Sequence, residues 1–227
     1  MSLFGRTFDC PFCVLTAEGR SPVWSHLFPA ENGDEVILES SSFLAVLDTA
    51  PLAEGHLLII PDRHVTALAS LPEPERDELQ DVKHVVESML KEVYGPVLYF
   101  EHGAESRGRH AGACIDHAHL HLVPGDADLL PHVARDYPDV RVFASYGDAL
   151  DGLAGGAYVM FGRQAGRVYG ASAPVCVTQY LRRLVARQTQ PQAGWNWRDA
   201  VRWADALGVR EQLLAARTKL LGQPSPR

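Results

Sequence analysis

The feature that most restricts the fold of this chain is the segment Asp116–Pro124, which reads D-H-A-H-L-H-L-V-P and is called the histidine segment below. Histidines alternate in it with small or apolar residues, and a proline ends it. Alternation with a period of two is typical of a β-strand, so the pattern predicts one histidine face and one core face. The two faces carry, respectively, His117, His119 and His121, and Ala118, Leu120 and Leu122.

Three imidazoles in this arrangement are suited to chemistry at neutral pH. Because histidine titrates near pH 7, it serves as a nucleophile, an acid, a base or a metal ligand. On one strand the three rings have fixed relative positions, as a catalytic site needs. A histidine run that only binds metal or faces solvent is the alternative, but the proline stop and the apolar alternate face argue against it.

Composition limits the classes of function open to the chain. With 227 residues, of which 46% are hydrophobic, it can bury one good core and a smaller second one. A formal net charge of −7 argues against broad electrostatic binding of DNA or RNA, because such binding needs a basic face. No leader, no apolar run near about 18 residues and no disulfide framework among the four cysteines is evident. We therefore expect a cytoplasmic protein that binds no nucleic acid polymer and no membrane.

Cys10-Pro11-Phe12-Cys13 is the first candidate site along the chain. Two thiolates at this spacing can share one tetrahedral zinc ion, which needs two further ligands, and histidines are their usual source. A redox-active dithiol is the alternative, but it favours a motif that leads a helix after a strand, and residues 14–19 do not clearly predict one. The spacing therefore favours zinc, with redox-active or unpaired thiols left open.

The pattern up to residue 125 mixes one long helix with short strands. From Pro72 to Val93 apolar residues recur every three or four positions, which is typical of an amphipathic helix. Residues 35–38 and 43–48 predict a strand pair, and residues 97–100 predict a strand beside the histidine segment. Because helix and strands do not alternate as βαβ units, we predict an α+β fold with a mostly antiparallel sheet.

The histidine segment closely resembles the signature of the histidine triad (HIT) superfamily of nucleotide hydrolases and transferases. Upstream, Leu47–Pro51 and Gly55–His64 resemble the strand, turn and strand that precede the triad in that family. The resemblance covers about residues 8 to 125. It implies a HIT-like fold with a five-stranded, mostly antiparallel sheet and a long helix. We accordingly predict a HIT domain at residues 1–125 and a small α/β extension, with a hairpin and helices, at residues 126–227.

The resemblance also implies a structural zinc site. In family members that carry the cysteine pair, the metal is completed by a histidine after the second strand and by the first triad histidine. The implied ligands are Cys10, Cys13, His64 and His117. A site closed by four protein ligands has no open position, so this metal would position the histidine segment and would not activate water.

Three further residues take the catalytic and ribose-binding roles that the resemblance implies. His119 resembles the family nucleophile, which attacks the α-phosphorus of a nucleotide and forms a nucleotidyl-histidine intermediate. His121 resembles the residue that donates to the phosphate oxygens and assists the leaving group. Asp48 offers an acceptor-only carboxylate suited to the two hydroxyls of a ribose, although an ordinary turn aspartate is the alternative.

The loop before the histidine segment is a predicted phosphate cradle. Glycines let backbone amides approach an anion closely, which places the predicted contacts at Gly112, Ala113 and Cys114. Well-known triad hydrolases differ here, because they tend to have an amide side chain at the position of Glu101, and glutamine and a hydroxyl residue at those of Ala113 and Cys114. Four residues can supply the missing donors or can simply be solvated: His102, Arg107, Arg109 and His110.

The extension gives weaker signals. Residues 157–163 and 167–170 predict a hairpin, and residues 175–188 predict a helix. Gln164, Gln179 and Arg182 are candidate substrate contacts from this part of the chain. The simpler interpretation, preferred from sequence alone, is that the extension only thickens the core.

The predicted function is a zinc-stabilised hydrolase acting at the α-phosphate of a nucleoside phosphoramidate, a dinucleoside polyphosphate or a related nucleotide conjugate. A dinucleoside polyphosphate phosphorylase or nucleotidyltransferase is an alternative, because phosphate or a second nucleotide can replace water in the last step. A non-catalytic nucleotide-sensing or scaffold protein is another, because polar donors are missing around Cys114. Family members pair their sheets across a two-fold axis, so the resemblance implies a homodimer.

Overall fold

The computed structural model describes residues 10–28, 33–106, 115–189, 194–196 and 205–222. The helices of this part are α1 (Pro11–Glu18), α2 (Pro22–Leu27), α3 (Glu73–Tyr94), α4 (Leu130–Asp136), α5 (Tyr146–Leu153), α6 (Tyr180–Thr189) and α7 (Ala206–Leu221). The strands are β1 (Val36–Glu39), β2 (Phe43–Leu47), β3 (Leu57–Pro61), β4 (Val97–Gly103), β5 (Leu120–Pro124), β6 (Arg141–Phe143), β7 (Tyr158–Arg163) and β8 (Val168–Ser172). A short 3-10 helix, Leu68–Ser70, precedes α3.

These strands form one sheet in the order β1-β2-β3-β5-β4-β7-β8-β6, and every neighbouring pair is antiparallel. The predicted α+β class with an antiparallel sheet is confirmed, but the sheet has eight strands and the predicted five is wrong. The difference arises at β4, whose second edge pairs with β7 from Leu98↔Arg163 to Gly103↔Tyr158. An unpaired edge leaves a row of backbone N–H and C=O groups open, and the extension satisfies this row.

Helices cover both faces of the sheet. On one face α3, α5 and α7 pack in an apolar cluster with strand residues such as Phe43 and Leu57. On the other face, Leu15 of α1 packs on β2 and β3, while α4 and α6 pack on β4, β5 and β7. The helix predicted over residues 72–93 is confirmed as α3, and its buried side chains include Leu79, Val82, Val86 and Met89, which lie three or four positions apart.

The histidine segment forms a strand only in its second half. β5 begins at Leu120, so His117 and His119 lie in the chain that leads into it. Ala118 and the other apolar residues of the alternation are buried in the same cluster as α3, as the pattern predicts. The N–H of Ala118 donates to Val65 O at 2.7 Å, which attaches this approach to the chain after β3.

The amino-terminal part contains two helices that the sequence patterns did not predict. Residues 14–19 give no clear helix signal and no helix is predicted before Pro72, yet α1 and α2 occupy most of residues 11–27. Each begins with a proline, whose missing N–H would have no intrahelical partner at that position. Ser21 caps α2 by accepting from Trp24 N at 3.1 Å, and the Trp24 side chain is fully buried.

The extension contains the predicted hairpin, as β7 and β8, and a helix that starts later than predicted. α6 begins at Tyr180, five residues after the predicted start, and Val177, which lies within the predicted range, is 55% exposed. None of the described helices combines the length and the apolar character needed to cross a bilayer.

Candidate active site

A row of side chains crosses the sheet beneath the site. Strand registers place Val46 beside Leu58, Leu58 beside His121, and His121 beside Phe100. The cavity above this row is walled by α1 and α2 on one side and by the start of α6 on the other. Its polar lining around the histidines includes Asp48, Thr49, His102, His119, His121, Gln179 and Arg182. Residues from both predicted parts of the chain therefore meet in one cavity.

The His119 ring is oriented by the backbone next to it. Its Nδ1 lies 2.8 Å from the carbonyl oxygen of His117, so Nδ1 carries the proton and donates the hydrogen bond. The lone pair is then on Nε2. Burial lowers the pKa of His119, which favours the neutral ring. A neutral imidazole with a free Nε2 in a cavity is suited to nucleophilic attack.

The proton on His121 is placed by a chain of hydrogen bonds. The N–H of Leu52 donates to His56 Nδ1 at 3.1 Å, so His56 carries its proton on Nε2. That Nε2 lies 3.0 Å from His121 Nδ1 and donates to it, which leaves the proton of His121 on Nε2. Burial lowers the pKa of both rings, that of His56 to about 3. His121 also stacks on Phe100, with ring centroids 4.4 Å apart. It is therefore a fixed, neutral N–H donor beside His119.

Asp48 is paired with the extension. Its Oδ2 accepts from Arg182 Nη1 at 2.6 Å, and its Oδ1 accepts from Ala50 N at 2.7 Å. Burial by itself raises the pKa of Asp48, but the Arg182 guanidinium, with help from the other contacts, outweighs burial and the pKa falls to about 2. Asp48 Oδ2 also lies 3.3 Å from His56 Nδ1, and because that nitrogen already accepts from Leu52, no proton lies between them. Asp48 is thus held ionised beside the histidines.

The start of α6 provides the remaining wall. Gln179 and Arg182 line the cavity, whereas Gln164 does not, and Leu181 N donates to His102 Nε2 at 3.1 Å. Burial lowers the pKa of His102 to about 3, so this ring is a neutral acceptor rather than a cationic phosphate ligand. The extension therefore contributes more than core thickness. No local pattern separates Arg182 from its neighbour Arg183, so only the packing of α6 could identify it.

Glu101 points away from the cavity. It is fully buried, and its two oxygens accept from Leu68 N at 2.8 Å and from the Tyr158 hydroxyl at 2.7 Å. Burial raises the pKa of Glu101 to about 7. Since Tyr158 belongs to β7, this carboxyl group connects the strand beside the histidine segment to the extension.

Four predicted metal ligands come together below the histidine segment: Cys10, Cys13, His64 and His117. His117 Nδ1 lies 3.4 Å from Cys10 Sγ and 3.5 Å from Cys13 Sγ, and His64 Nδ1 lies 3.1 Å from Cys13 Sγ. Ordinary Zn–S and Zn–N bonds in a tetrahedron separate sulfur and nitrogen by about 3.5 Å. The Nε2 of His117 donates to Pro61 O at 2.7 Å, so its Nδ1 is unprotonated toward the thiols. This set of donors can hold a metal ion.

A second group, Asp48, His56 and His121, also has its ligand atoms within 4.8 Å of one another. Hydrogen bonds account for its arrangement, because His56 donates to His121 and Arg182 already neutralises Asp48. A further cation there would be repelled by the guanidinium.

The predicted phosphate cradle lies outside the described residues. This applies to Gly112, Ala113 and Cys114, and to the candidate donors Arg107, Arg109 and His110.

Comparison with known proteins gives matches to one family. The HIT domain family model matches residues 29–128. Adenosine 5'-monophosphoramidase of Candida albicans is 33% identical over 93 residues, which are 39% of this chain and 59% of that protein. A HIT-like protein of Methanocaldococcus jannaschii is 30% identical over 102 residues, 42% of this chain and 74% of that protein. Adenylylsulfatase of Arabidopsis thaliana is 28% identical over 116 residues, 51% and 52% of the two chains.

Among solved structures, a Zn-bound histidine triad family protein from Mycobacterium smegmatis has 23% identity and a TM-score of 0.39, and the match covers 53% of this chain and 78% of that one. The chain spans about three fifths of the length of the two fungal monophosphoramidases that it matches first. The family-model match contains β1 to β5 and all three histidines, and the archaeal relative is matched over about three quarters of its length. The chain therefore belongs to the HIT family.

Proposed function

We propose that this protein is a hydrolase that cleaves at the α-phosphate of a nucleotide through a covalent intermediate on His119. The observation that carries the proposal is the pair of proton positions in the cavity: a bare Nε2 on His119 and an Nε2–H on the adjacent His121. Their ring centroids are 4.8 Å apart, so both nitrogens can reach one phosphoryl group. Relatives named as adenosine 5'-monophosphoramidases support this class of substrate.

The reaction follows in two displacements. The lone pair of His119 Nε2 forms an N–P bond, and the bond from phosphorus to the leaving group breaks, with the leaving group keeping the electron pair and taking a proton from water. His121 Nε2–H donates to a phosphoryl oxygen and stabilises the charge that develops there. Water then attacks phosphorus and loses a proton to solvent, the N–P bond breaks, and neutral His119 is restored.

The cavity suits a nucleotide from end to end. Beyond the histidines, Asp48 retains lone pairs that are not used by Arg182 or Ala50, and these can accept from ribose hydroxyls. Along the row from His121, Leu58 comes first and Val46 next, and together with Leu15 of α1 they give an apolar surface suited to the faces of a base. We therefore propose the order base, ribose, phosphate along the row that crosses the sheet.

We propose that Cys10, Cys13, His64 and His117 hold a structural zinc ion. Support comes from the donor types, the sulfur–nitrogen distances and the unprotonated Nδ1 of His117. With four protein donors the ion fixes His117 in place and leaves the chemistry to the two histidines that follow.

Substrate assays test the reaction. Adenosine 5'-phosphoramidate and diadenosine polyphosphates are incubated with the protein, with and without inorganic phosphate, and the nucleotide products are quantified. Hydrolysis gives nucleoside monophosphate in both cases. Nucleoside diphosphate that appears only with phosphate identifies a phosphorylase instead. Nucleotide binding without turnover on the whole panel contradicts the enzyme and supports a sensor. His119→Asn should abolish an adduct seen by intact mass.

We also propose a homodimer, from the family resemblance. The outer strands of the sheet are β1 and β6. Arg217 of α7 donates to Ile37 O at 2.8 Å and so covers the β1 edge, whereas Val142 of β6 is 52% exposed. A dimer that joins the sheets is therefore expected to use β6. Light scattering that gives the monomer mass at micromolar concentration contradicts it.

A boundary at residue 125 and a cytoplasmic location stay predictions. The sheet crosses the boundary, with β1 to β5 before it and β6 to β8 after it. A fragment that ends at residue 125 is therefore expected to expose the edge of β4 and to aggregate.

A further inference from the structure

We infer that Glu35 selects the base of the nucleotide, because its free carboxylate oxygen accepts a hydrogen bond from an exocyclic amino group of a purine. The inference rests on the proposed function, since it uses the same order of base, ribose and phosphate in the cavity. It adds a residue that sets which base is accepted.

Glu35 is a buried acid with one satisfied oxygen. It lines the cavity, and its exposed fraction is 1%. Its Oε1 accepts from the backbone N–H of Ser21 at 2.8 Å, which fixes the carboxylate against the start of α2. Its Oε2 is buried and has no hydrogen-bond partner among the residues that the structure describes.

An unsatisfied buried carboxylate oxygen is costly unless something else pairs with it. Leaving a buried acceptor without a partner costs about 1–3 kcal/mol, and more when the group is charged. Apart from Ser21, which bonds to Glu35 and opposes the rise in its pKa, the cavity lining on the side of α1 and α2 includes the apolar Leu15, Val23 and Val46. Burial raises the pKa of Glu35, as expected for a carboxyl group in such surroundings. A ligand that brings an N–H group to this end relieves the cost.

The position of Glu35 matches the far end of a nucleotide. Val36 pairs with Val46 and so ends the row that contains His121. Glu35 directly precedes Val36, its backbone O accepts from Leu47 N at 3.0 Å, and it lines the cavity at this end. β1 is three strands from β5, which corresponds to about 14 Å at the usual strand spacing. This distance leaves room for a ribose beside Asp48 and a base over Val46.

The chemistry of the carboxylate defines the preferred base. An ionised carboxyl group only accepts hydrogen bonds. Adenine and guanine carry amino groups, whereas hypoxanthine has a carbonyl oxygen in place of the adenine amino group and lacks that of guanine. At position 6, inosine therefore presents an acceptor where adenosine presents a donor. At position 2, inosine presents a C–H group where guanosine presents a donor. A site built to pair with a polar group rejects the analogue that lacks it, because the group of the protein is left unpaired.

The test compares nucleosides that differ in one group. kcat/KM is measured at about pH 8, where an ordinary carboxyl group is ionised, for the 5'-phosphoramidates of adenosine, guanosine and inosine. We expect at least one amino purine to exceed inosine by about tenfold, the value of one hydrogen bond. The ratio of kcat/KM for the adenosine substrate to that for the inosine substrate measures the effect of an amino group at position 6. The same ratio for guanosine and inosine measures the effect of an amino group at position 2.

Glu35→Gln should reduce that preference to about twofold or less, because an amide can donate as well as accept. Glu39→Gln is the matched control, since Glu35 directly precedes β1 and Glu39 is the exposed last residue of β1, and this variant should keep the full preference. Equal kcat/KM for all three substrates in the parent protein overturns the inference while leaving the hydrolase intact. A preference that survives Glu35→Gln overturns it as well.

Calorimetric binding of AMP, GMP and IMP separates this inference from the proposed function. If no phosphoramidate is turned over, a Glu35-dependent preference for AMP or GMP over IMP still supports base selection. If all three bind equally, base selection fails whatever the activity. Should Glu35→Gln fail to fold, the preference of the parent protein alone decides between these outcomes.

Discussion

The two ends of the histidine triad are held by different parts of the chain. His117 is fixed by Pro61 and by the metal-ligand cluster, whose cysteines belong to the amino-terminal segment. His121 is fixed by His56, which lies against Asp48 and, through it, Arg182 of the extension. His119 lies between them, and its Nδ1 donates to the carbonyl oxygen of His117.

The difference means that the histidine we propose as nucleophile, His119, is positioned by two separate sets of contacts. The support at His117 is the metal-ligand cluster, which the proposed zinc ion would complete by coordination with fixed geometry. The support at His121 is a buried ion pair and a row of hydrogen bonds, which depends on the position of α6. Damage to one support should therefore leave the other measurable.

Removal of the metal should have the largest effect. We expect a chelator to lower the free energy of unfolding by about 5 kcal/mol or more, because binding energy at a structural zinc site is folding energy. Chemical denaturation with and without chelator, together with metal analysis, measures this. Cys10→Ser should reproduce the loss, whereas Cys176→Ser, which lies outside the cluster, should not. If the parent protein is purified without stoichiometric zinc, the proposal that a zinc ion fixes His117 is contradicted.

Arg182→Met should destabilise the protein by about 3–5 kcal/mol, because it leaves the Asp48 carboxylate buried without its countercharge. Zinc content should stay unchanged, which separates this variant from the metal-free protein. Arg187→Met is the control, since Arg187 is exposed on the same helix. Adding Asp48→Asn to Arg182→Met should recover part of the loss in urea denaturation. Strict additivity would show that the two side chains are not coupled.

Glu101→Gln should change the pH dependence of stability by up to about 3 kcal/mol. The pKa of Glu101 is about 7 in the folded chain and near its ordinary 4.5 in the unfolded chain. Between these pH values Glu101 has lost its proton in the unfolded chain but retains it in the folded chain. The contribution of Glu101 to the free energy of unfolding therefore decreases as pH rises from 4.5 to 7. The stability of Glu101→Gln relative to the parent should therefore rise across that interval and level off above it. A constant difference contradicts the shifted pKa.

His102→Gln should have a smaller effect on the free energy of unfolding, and this effect should appear below pH 6.5. The pKa of His102 is about 3 in the folded chain, against 6.5 unfolded, because burial favours the neutral ring. Its contribution is present above pH 6.5 and is lost as pH falls, by about 2 kcal/mol at pH 5. Gln retains an acceptor for Leu181 N without titrating. Thermal or urea unfolding at pH 7 and pH 5 should show a smaller acid loss in the variant than in the parent.

The sequence predicted the elements whose signal is local. The 3.6-residue spacing identified α3, and alternation identified the core face of the histidine segment, because both periods follow from backbone geometry. It did not predict α1 or α2, since two short helices with prolines at their starts and few charged residues have a pattern close to that of a loop. It also gave too few strands, because the pairing of β7 with β4 depends on an edge that no single segment reveals.

In the site, the sequence alone determined which side chains are chemically suited: the three histidines, the cysteine pair and Asp48. Tertiary structure decided how they are used. It brought His56 against His121, Arg182 against Asp48, and Glu35 into the cavity from strands and a helix far apart in the chain. Residue type fixes what a side chain can donate or accept, whereas burial and the identity of its neighbours fix its protonation and partner, and those arise only when distant segments pack together.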